Sequence, residues 1–129
     1  MDLLLDTHAL LWWLEGGQKL RPQAFDAIGD PDNNVFLSAV SAFEIAIKVR
    51  AGKLPVEPNV GRWLPEEAAT NRFRLLPVTV EHAARVEHLP RLHGDPFDQL
   101  LVAQALVEQL TLVTADQRLE QYGARILRC

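Results

Sequence analysis

Four acidic residues stand where short apolar runs give way to helical sequence. They are Asp6 after Leu3-Leu4-Leu5, Glu44 after Val35-Phe36-Leu37, Asp98 in Asp95-Pro96-Phe97-Asp98, and Asp116 after Leu110-Thr111-Leu112-Val113. In an open parallel sheet such junctions gather at the carboxyl ends of the strands, where ligands bind. Carboxylates brought together there repel one another unless a positive charge sits between them. A divalent cation is the simplest such charge, and an all-oxygen donor set favours a hard ion, magnesium or manganese. An ion held there would lower the pKa of a bound water and act as a Lewis acid, so the chemistry open to the arrangement is metal-assisted.

Each acid also has an ordinary structural role open to it. Asp6 is a good N-cap for the segment that follows it. Ser41-Ala42-Phe43-Glu44 has capping-box spacing, although Glu44 lies in an otherwise apolar stretch from Ala39 to Ile47. In Asp95-Pro96-Phe97-Asp98 the order is Asp at N-cap, Pro at N1 and an acid at N3. Asp98 is assigned to the site because the apolar helix Leu100-Leu101-Val102-Ala103 begins right after it, and Asp95 to the cap or to outer support. Thr114-Ala115-Asp116-Gln117 allows capping by Thr114 or by Asp116. Capping leaves unexplained why a chain with other good caps places an acid at so many converging strand ends.

The elements that must position these residues read as alternating strands and helices. Asp2 to Asp6, with three consecutive leucines, reads as a strand covered on both faces. Helices are expected from His8 to Glu15, stopped by Gly16-Gly17, and from Arg21 to Gly29. A second strand follows at Val35 to Ser38, then a helix from Ser41 to Ala51 closed by Gly52. After a loop at Leu54 to Gly61 comes a helix from Arg62 or Pro65 to Arg72, then a strand from Arg74 to Val78. Pro77 keeps the end of that strand out of a central ladder. Thr79 caps a helix to about His88, and Pro90 to Gly94 is a loop. Asp95 opens a long helix through Gln109, and a fourth strand is expected at Thr111 to Thr114. A short helix at Gln117 to Tyr122 and a last strand at Ala124 to Leu127 close the chain. This alternation implies a mostly parallel sheet of about four to five strands with helices on both faces.

With 129 residues, 48% of them hydrophobic and 23% charged, the chain has the size of one domain with a sizeable core. Its formal charge is −4, which equals the contribution of the four acids, so two divalent ions would neutralise the site. That balance argues against the broad basic footprint of a non-catalytic nucleic-acid binder. The single cysteine, Cys129, excludes an internal disulfide and a cysteine metal site, and fits a reducing compartment. Met1-Asp2-Leu3-Leu4-Leu5-Asp6 lacks the basic start and apolar core of a signal peptide, and nothing reaches transmembrane length, so a soluble cytoplasmic protein is expected.

Four strings, in order and in register, carry a resemblance to a known family. They are Leu4-Leu5-Asp6-Thr7-His8-Ala9-Leu10-Leu11-Trp12, the run from Ser38 through Glu44 to Lys48, the run from His93 through Asp98 to Ala105, and Leu112-Val113-Thr114-Ala115-Asp116. Together they resemble the PIN-domain ribonucleases, specifically the VapC toxins of type II toxin–antitoxin systems. The resemblance covers essentially the whole chain and implies a single PIN-like domain over residues 1–129, a three-layer α/β/α sandwich. It further implies a magnesium- or manganese-dependent endoribonuclease in which Asp6, Glu44, Asp98 and Asp116 match the acidic quartet. Thr7 and Thr114 match hydroxyl positions beside the metal, and Asp95 an acid common in this subgroup. A homodimer and a cognate antitoxin covering the toxin groove are implied as partners.

Several neighbours of the acids have two roles open. Lys48, four residues after Glu44, is placed for an RNA phosphate or for an ion pair worth about 0.2–0.5 kcal/mol. Arg118 is a second phosphate candidate, and His8 and His93 flank the acids. Leu10-Leu11-Trp12-Trp13-Leu14 is apolar all round its helix, which requires burial or a partner, and Trp12, Trp13 and Trp63 are candidates for a partner surface. The competing functions are a magnesium-dependent phosphoryl-transfer or receiver-like domain and a non-catalytic binding module on the same fold. The first lacks support because Asp6-Thr7-His8 has histidine where an Asp-x-Asp nucleophile motif needs its second acid.

Overall fold

The computed structural model describes residues 1–92 and 94–129, so the expectation for His93 lies outside the described residues. The three leucines of β1 (Asp2–Leu5) are fully buried, as a strand covered on both faces requires. The pleat turns Leu3 and Leu5 to one face and Leu4 to the other. Leu3 and Leu5 pack with Ala9 and Leu10 of α1 (Thr7–Leu14), Ile28 of α2 (Pro22–Gly29) and Leu64 of α4 (Val60–Thr70). Leu4 packs with Leu101 and Val102 of α6 (Pro96–Glu108). Helices therefore cover both faces and make the three-layer α/β/α sandwich.

The sheet is five-stranded and all parallel, in the order β3-β2-β1-β4-β5, with β2 at Asn34–Ser38, β3 at Arg74–Leu76, β4 at Thr111–Thr114 and β5 at Ile126–Arg128. Connections leave β1 toward β2 and β3 on one side and toward β4 and β5 on the other, so the strand order reverses between β1 and β4. Such a switch point opens a crevice outside the strand ends. Leu5 is in register with both Leu37 and Val113, which brings three carboxyl ends to one level. β3 is an edge strand that stops before Pro77, as that proline implies.

Three local expectations are corrected. The capping box at Ser41 is not formed, because β2 runs without a loop into α3 (Ala39–Arg50). Ser38 has the extended backbone of an N-cap and accepts from the Val40 N–H at 2.9 Å, which makes Ser41 already helical. α4 begins at Val60, after Asn59 in the left-handed region at φ 76°, so Pro65 lies inside the helix at the cost of the bond to the Gly61 carbonyl. The last strand lies at Ile126–Arg128, two residues beyond the expected start. The cap at Thr79 holds: it opens α5 (Val80–Arg85), and a 3₁₀ turn carries the chain on to His88. Among the described residues, no helix is long and apolar enough to cross a membrane.

Candidate metal and active site

Asp6 leaves β1 at the switch point and is buried, at 6% exposure. Its Oδ1 accepts from the Ala9 N–H at 2.8 Å, so it is indeed the N-cap of α1, and the Thr114 hydroxyl bonds to it from the end of β4. Burial raises its carboxyl above the ordinary range against the pull of those two hydrogen bonds and of His8. The Thr114 hydroxyl also accepts from the Asp116 N–H at 3.1 Å, so one side chain ties together the acids of two adjacent strand ends. Asp116 caps the 3₁₀ turn Gln117–Tyr122 by accepting from the Arg118 N–H at 3.0 Å. Capping and membership of the cleft prove compatible for both acids.

Glu44 reaches the same place from the second turn of α3 rather than from the strand end itself. The Thr7 hydroxyl donates to Glu44 Oε1 at 2.8 Å and lies 3.0 Å from the Ser41 hydroxyl, joining α1 to α3. Lys48 Nζ lies 2.9 Å from Glu44 Oε2, an i,i+4 ion pair on one helix face. Asp98 likewise departs from the strand-end pattern, because a loop precedes α6. Asp95 is the N-cap, accepting from the Phe97 N–H at 2.7 Å, and Asp98 sits in the first turn. Among the described residues no hydrogen bond or close ion pair reaches Asp98, although its charge is felt by Arg118. Burial, and then the charges of Asp95, Asp6, Glu44 and Asp116, push its carboxyl from the ordinary 3.8 up to about 7.

These residues line one cleft of about 460 Å³, walled by Asp6, Thr7, His8, Glu44, Asp95, Asp98, Ala115, Asp116 and Arg118. Every acid of the expected quartet faces it, and Thr114 supports it from beneath. Among the described residues no three carboxylate or imidazole groups are close enough to grip an ion as they stand. Two of the acids instead face cations. Besides Lys48 on Glu44, Arg118 holds Asp116 through two contacts, Nε to Oδ1 at 2.9 Å and Nη2 to Oδ2 at 2.7 Å. The donor chemistry nonetheless fits a hard divalent ion: the cleft offers carboxylate and hydroxyl oxygens, and burial together with the neighbouring acids disfavours the ionised form of Asp98, which such an ion would stabilise.

The tryptophans divide. Trp13 is taken up within the fold, its ring against Phe25 at 5.3 Å and Phe73 at 6.2 Å, and its Nε1 donates to Asn71 Oδ1 at 2.9 Å. Trp12 is partly buried and tilts against His8. Trp63 lines a groove of about 320 Å³ with Leu11, Leu14, Leu54 and Val56, beside Glu15, Glu57 and Glu67. Reasoning from the sequence missed Ser41, which meets Thr7, and Gln104, which meets Ser38 at 2.6 Å. The signal for Gln104 was present: a single amide in the run from Leu100 to Leu106 must either break the apolar face or find buried partners.

Comparison with known proteins agrees with the fold. The PIN domain family model matches residues 3–125. Ribonuclease VapC22 of Mycobacterium tuberculosis is 33% identical over 121 residues, 93% of this chain and 91% of that protein. Among solved structures, VapBC2 from Rickettsia felis, bound to a DNA fragment from its promoter, aligns with a TM-score of 0.76 at 15% identity, over 99% of this chain and 98% of that one. A toxin-antitoxin complex from Klebsiella pneumoniae aligns with a TM-score of 0.58 at 19% identity, over 90% and 88%. With four acids gathered at the switch point of a parallel sheet, and with a family match over nearly its full length, the chain belongs to the PIN-domain family, alongside the VapC ribonucleases.

Proposed function

We propose that this chain is the toxin of a toxin–antitoxin pair, an endoribonuclease that cleaves RNA phosphodiester bonds with the help of magnesium or manganese. The observation that carries the reading is the convergence of Asp6, Glu44, Asp98 and Asp116 on one cleft, with Asp98 raised by burial and then by the charges of its acidic neighbours. The relative named a ribonuclease, 33% identical over nearly the whole chain, supports the same chemistry.

The four acids would hold the metal, which when bound supplies a water of lowered pKa and a counter-charge for the phosphoryl oxygens. The chain's own residues do the positioning. The Ala9 N–H and the Thr114 hydroxyl fix Asp6, and the Thr7 hydroxyl aims Glu44 from the neighbouring helix. Arg118 lines the cleft and Lys48 reaches it through Glu44, each on a carboxylate, and both would offer cationic donors to the phosphates of an entering strand. Asp95 supports Asp98 by holding the start of α6.

The groove between α1 and α4, apolar within and flanked by three glutamates, suits an antitoxin segment of apolar and basic residues, with Trp63 as its anchor and Trp12 nearby. A homodimer and a cytoplasmic location complete the reading. The test is cleavage of a defined RNA by partner-free protein. Cleavage that requires magnesium or manganese and stops on chelation is expected, and robust cleavage in excess chelator refutes the metal chemistry.

A further inference from the structure

Gln104 is fully buried in α6, and each polar atom of its amide is engaged. Its Oε1 accepts from the Ser38 hydroxyl at 2.6 Å, and its Nε2 lies 3.2 Å from the Pro77 carbonyl and 3.3 Å from His82 Nδ1. His82, also fully buried, accepts at Nδ1 from the Thr79 N–H at 3.1 Å and presents Nε2 to Glu108 Oε2 at 2.8 Å. The amide is thereby fixed to the end of β3 and the start of α5, and through Ser38 it reaches the N-cap of α3.

The placement of this network matters more than its size. Ser38 lies six residues before Glu44, and Gln104 lies six residues after Asp98. Phe43 meets Phe97 edge to face, with ring centroids 5.7 Å apart. The two contacts, Ser38 with Gln104 and Phe43 with Phe97, show α3 and α6 running antiparallel, with Glu44 and Asp98 each next to the second contact. Sliding one helix past the other by a residue moves its side chains by about 1.5 Å. Magnesium holds its oxygens at about 2.0–2.1 Å with little tolerance, so such a slide separates the two carboxylates as ligands. Edge-to-face ring packing at Phe43 and Phe97 is favourable over a range of centroid distances of about 4.5–7 Å and so tolerates a slide better than a buried hydroxyl-to-amide hydrogen bond, which is lost by one.

We propose that Gln104 is a positioning residue, whose hydrogen bond with Ser38 sets the register of α6 against α3 and thereby the spacing of Asp98 and Glu44 for a divalent ion. The proposal rests on the metal-dependent reading above and adds to it the part of the chain that spaces the ligands. The experiment measures Mn²⁺ dissociation constants by calorimetry, with melting temperatures, for the whole chain. The variants are Gln104→Met, which keeps the bulk and loses the hydrogen bonds, Ser38→Ala, Ser38→Thr, and Ile28→Ala in the core on the opposite face of the sheet. Gln104→Met and Ser38→Ala are expected to weaken Mn²⁺ binding by about 10- to 100-fold, the range found when outer partners of metal ligands are removed. Ser38→Thr, which keeps the hydroxyl, restores affinity to near wild type. Ile28→Ala lowers the melting temperature without changing affinity. Ser38→Ala carries the test if Gln104→Met does not fold. Equal Mn²⁺ affinity in wild type, Gln104→Met and Ser38→Ala overturns this proposal alone, while a wild type that binds no Mn²⁺ overturns the metal reading and this proposal with it.

Discussion

At the scale of the residue, Asp98 carries the strain of the site. Its carboxyl makes no hydrogen bond or close ion pair among the described residues, and burial and four neighbouring acids raise it to about 7. Its folded pKa lies above its unfolded value, so between about pH 4 and about pH 7 the folded chain binds a proton that the unfolded chain has released. Metal-free stability therefore falls as pH rises through that window and levels off above it. Thermal melts in chelator should show wild type losing stability from pH 5 to pH 8, while Asp98→Asn melts higher than wild type at pH 8 with a flatter profile. Equal pH profiles for the two proteins would mean that the carboxylates do not act on one another. Asp116 is a poorer probe of the same repulsion, because its contacts with Arg118 already offset its charge. That pairing was not legible in the sequence, where Arg118 stood only as a phosphate candidate; an arginine two residues on can fold back only once the 3₁₀ turn is known.

At the scale of the element, strand positions were legible because buried parallel strands are short apolar runs bounded by turn residues. Helix starts were less so. The chain passes from β2 into α3 with no loop, so the cap falls on Ser38, expected only as the end of the strand, and not on Ser41. The consequence is that Glu44 projects from a second turn and depends on α3 keeping its place. The start of α6 was read correctly, and its two acids have separable duties: Asp95 accepts from the Phe97 N–H, and Asp98 faces the cleft. Asp95→Asn should cost stability and lower cleavage modestly, since losing a capping side chain costs typically about 1 kcal/mol and asparagine itself caps well. Asp98→Asn should abolish cleavage with the fold intact. Rates and melting temperatures measured on both variants check the assignment, and the reverse ranking would exchange the two roles.

At the scale of the whole molecule, the fold class and the meeting of four acids in one cleft could be read from four short strings, while the partner surfaces could not. An apolar helix looks the same whether its own chain or another covers it. Both Trp13 and Trp63 are partly buried against the same core, but Trp13 has Phe25 and Phe73 against its ring and Asn71 on its Nε1, whereas Trp63, its Nε1 donating to the Glu57 carbonyl, borders the groove beside α1. Trp13→Ala should destabilise the protein, by up to about 3–5 kcal/mol for a large ring removed from packed surroundings. Trp63→Ala should cost less stability than Trp13→Ala, through its core contacts and its bond to the Glu57 carbonyl, and should weaken antitoxin binding, as melting temperatures and titration of the antitoxin against each variant would show. A Trp63 variant with undiminished antitoxin affinity places the partner elsewhere.

The most direct test of the central claim, that four carboxylates share a divalent metal that drives RNA cleavage, is one Mn²⁺ titration with two readouts. Cleavage rate and melting temperature are followed together in wild type and in Asp98→Asn. Both should rise over the same Mn²⁺ range in wild type, since binding to the folded state stabilises it, and neither should rise in Asp98→Asn. Cleavage by Asp98→Asn at the wild-type rate, or a melting temperature that Mn²⁺ moves equally in both proteins, would contradict it.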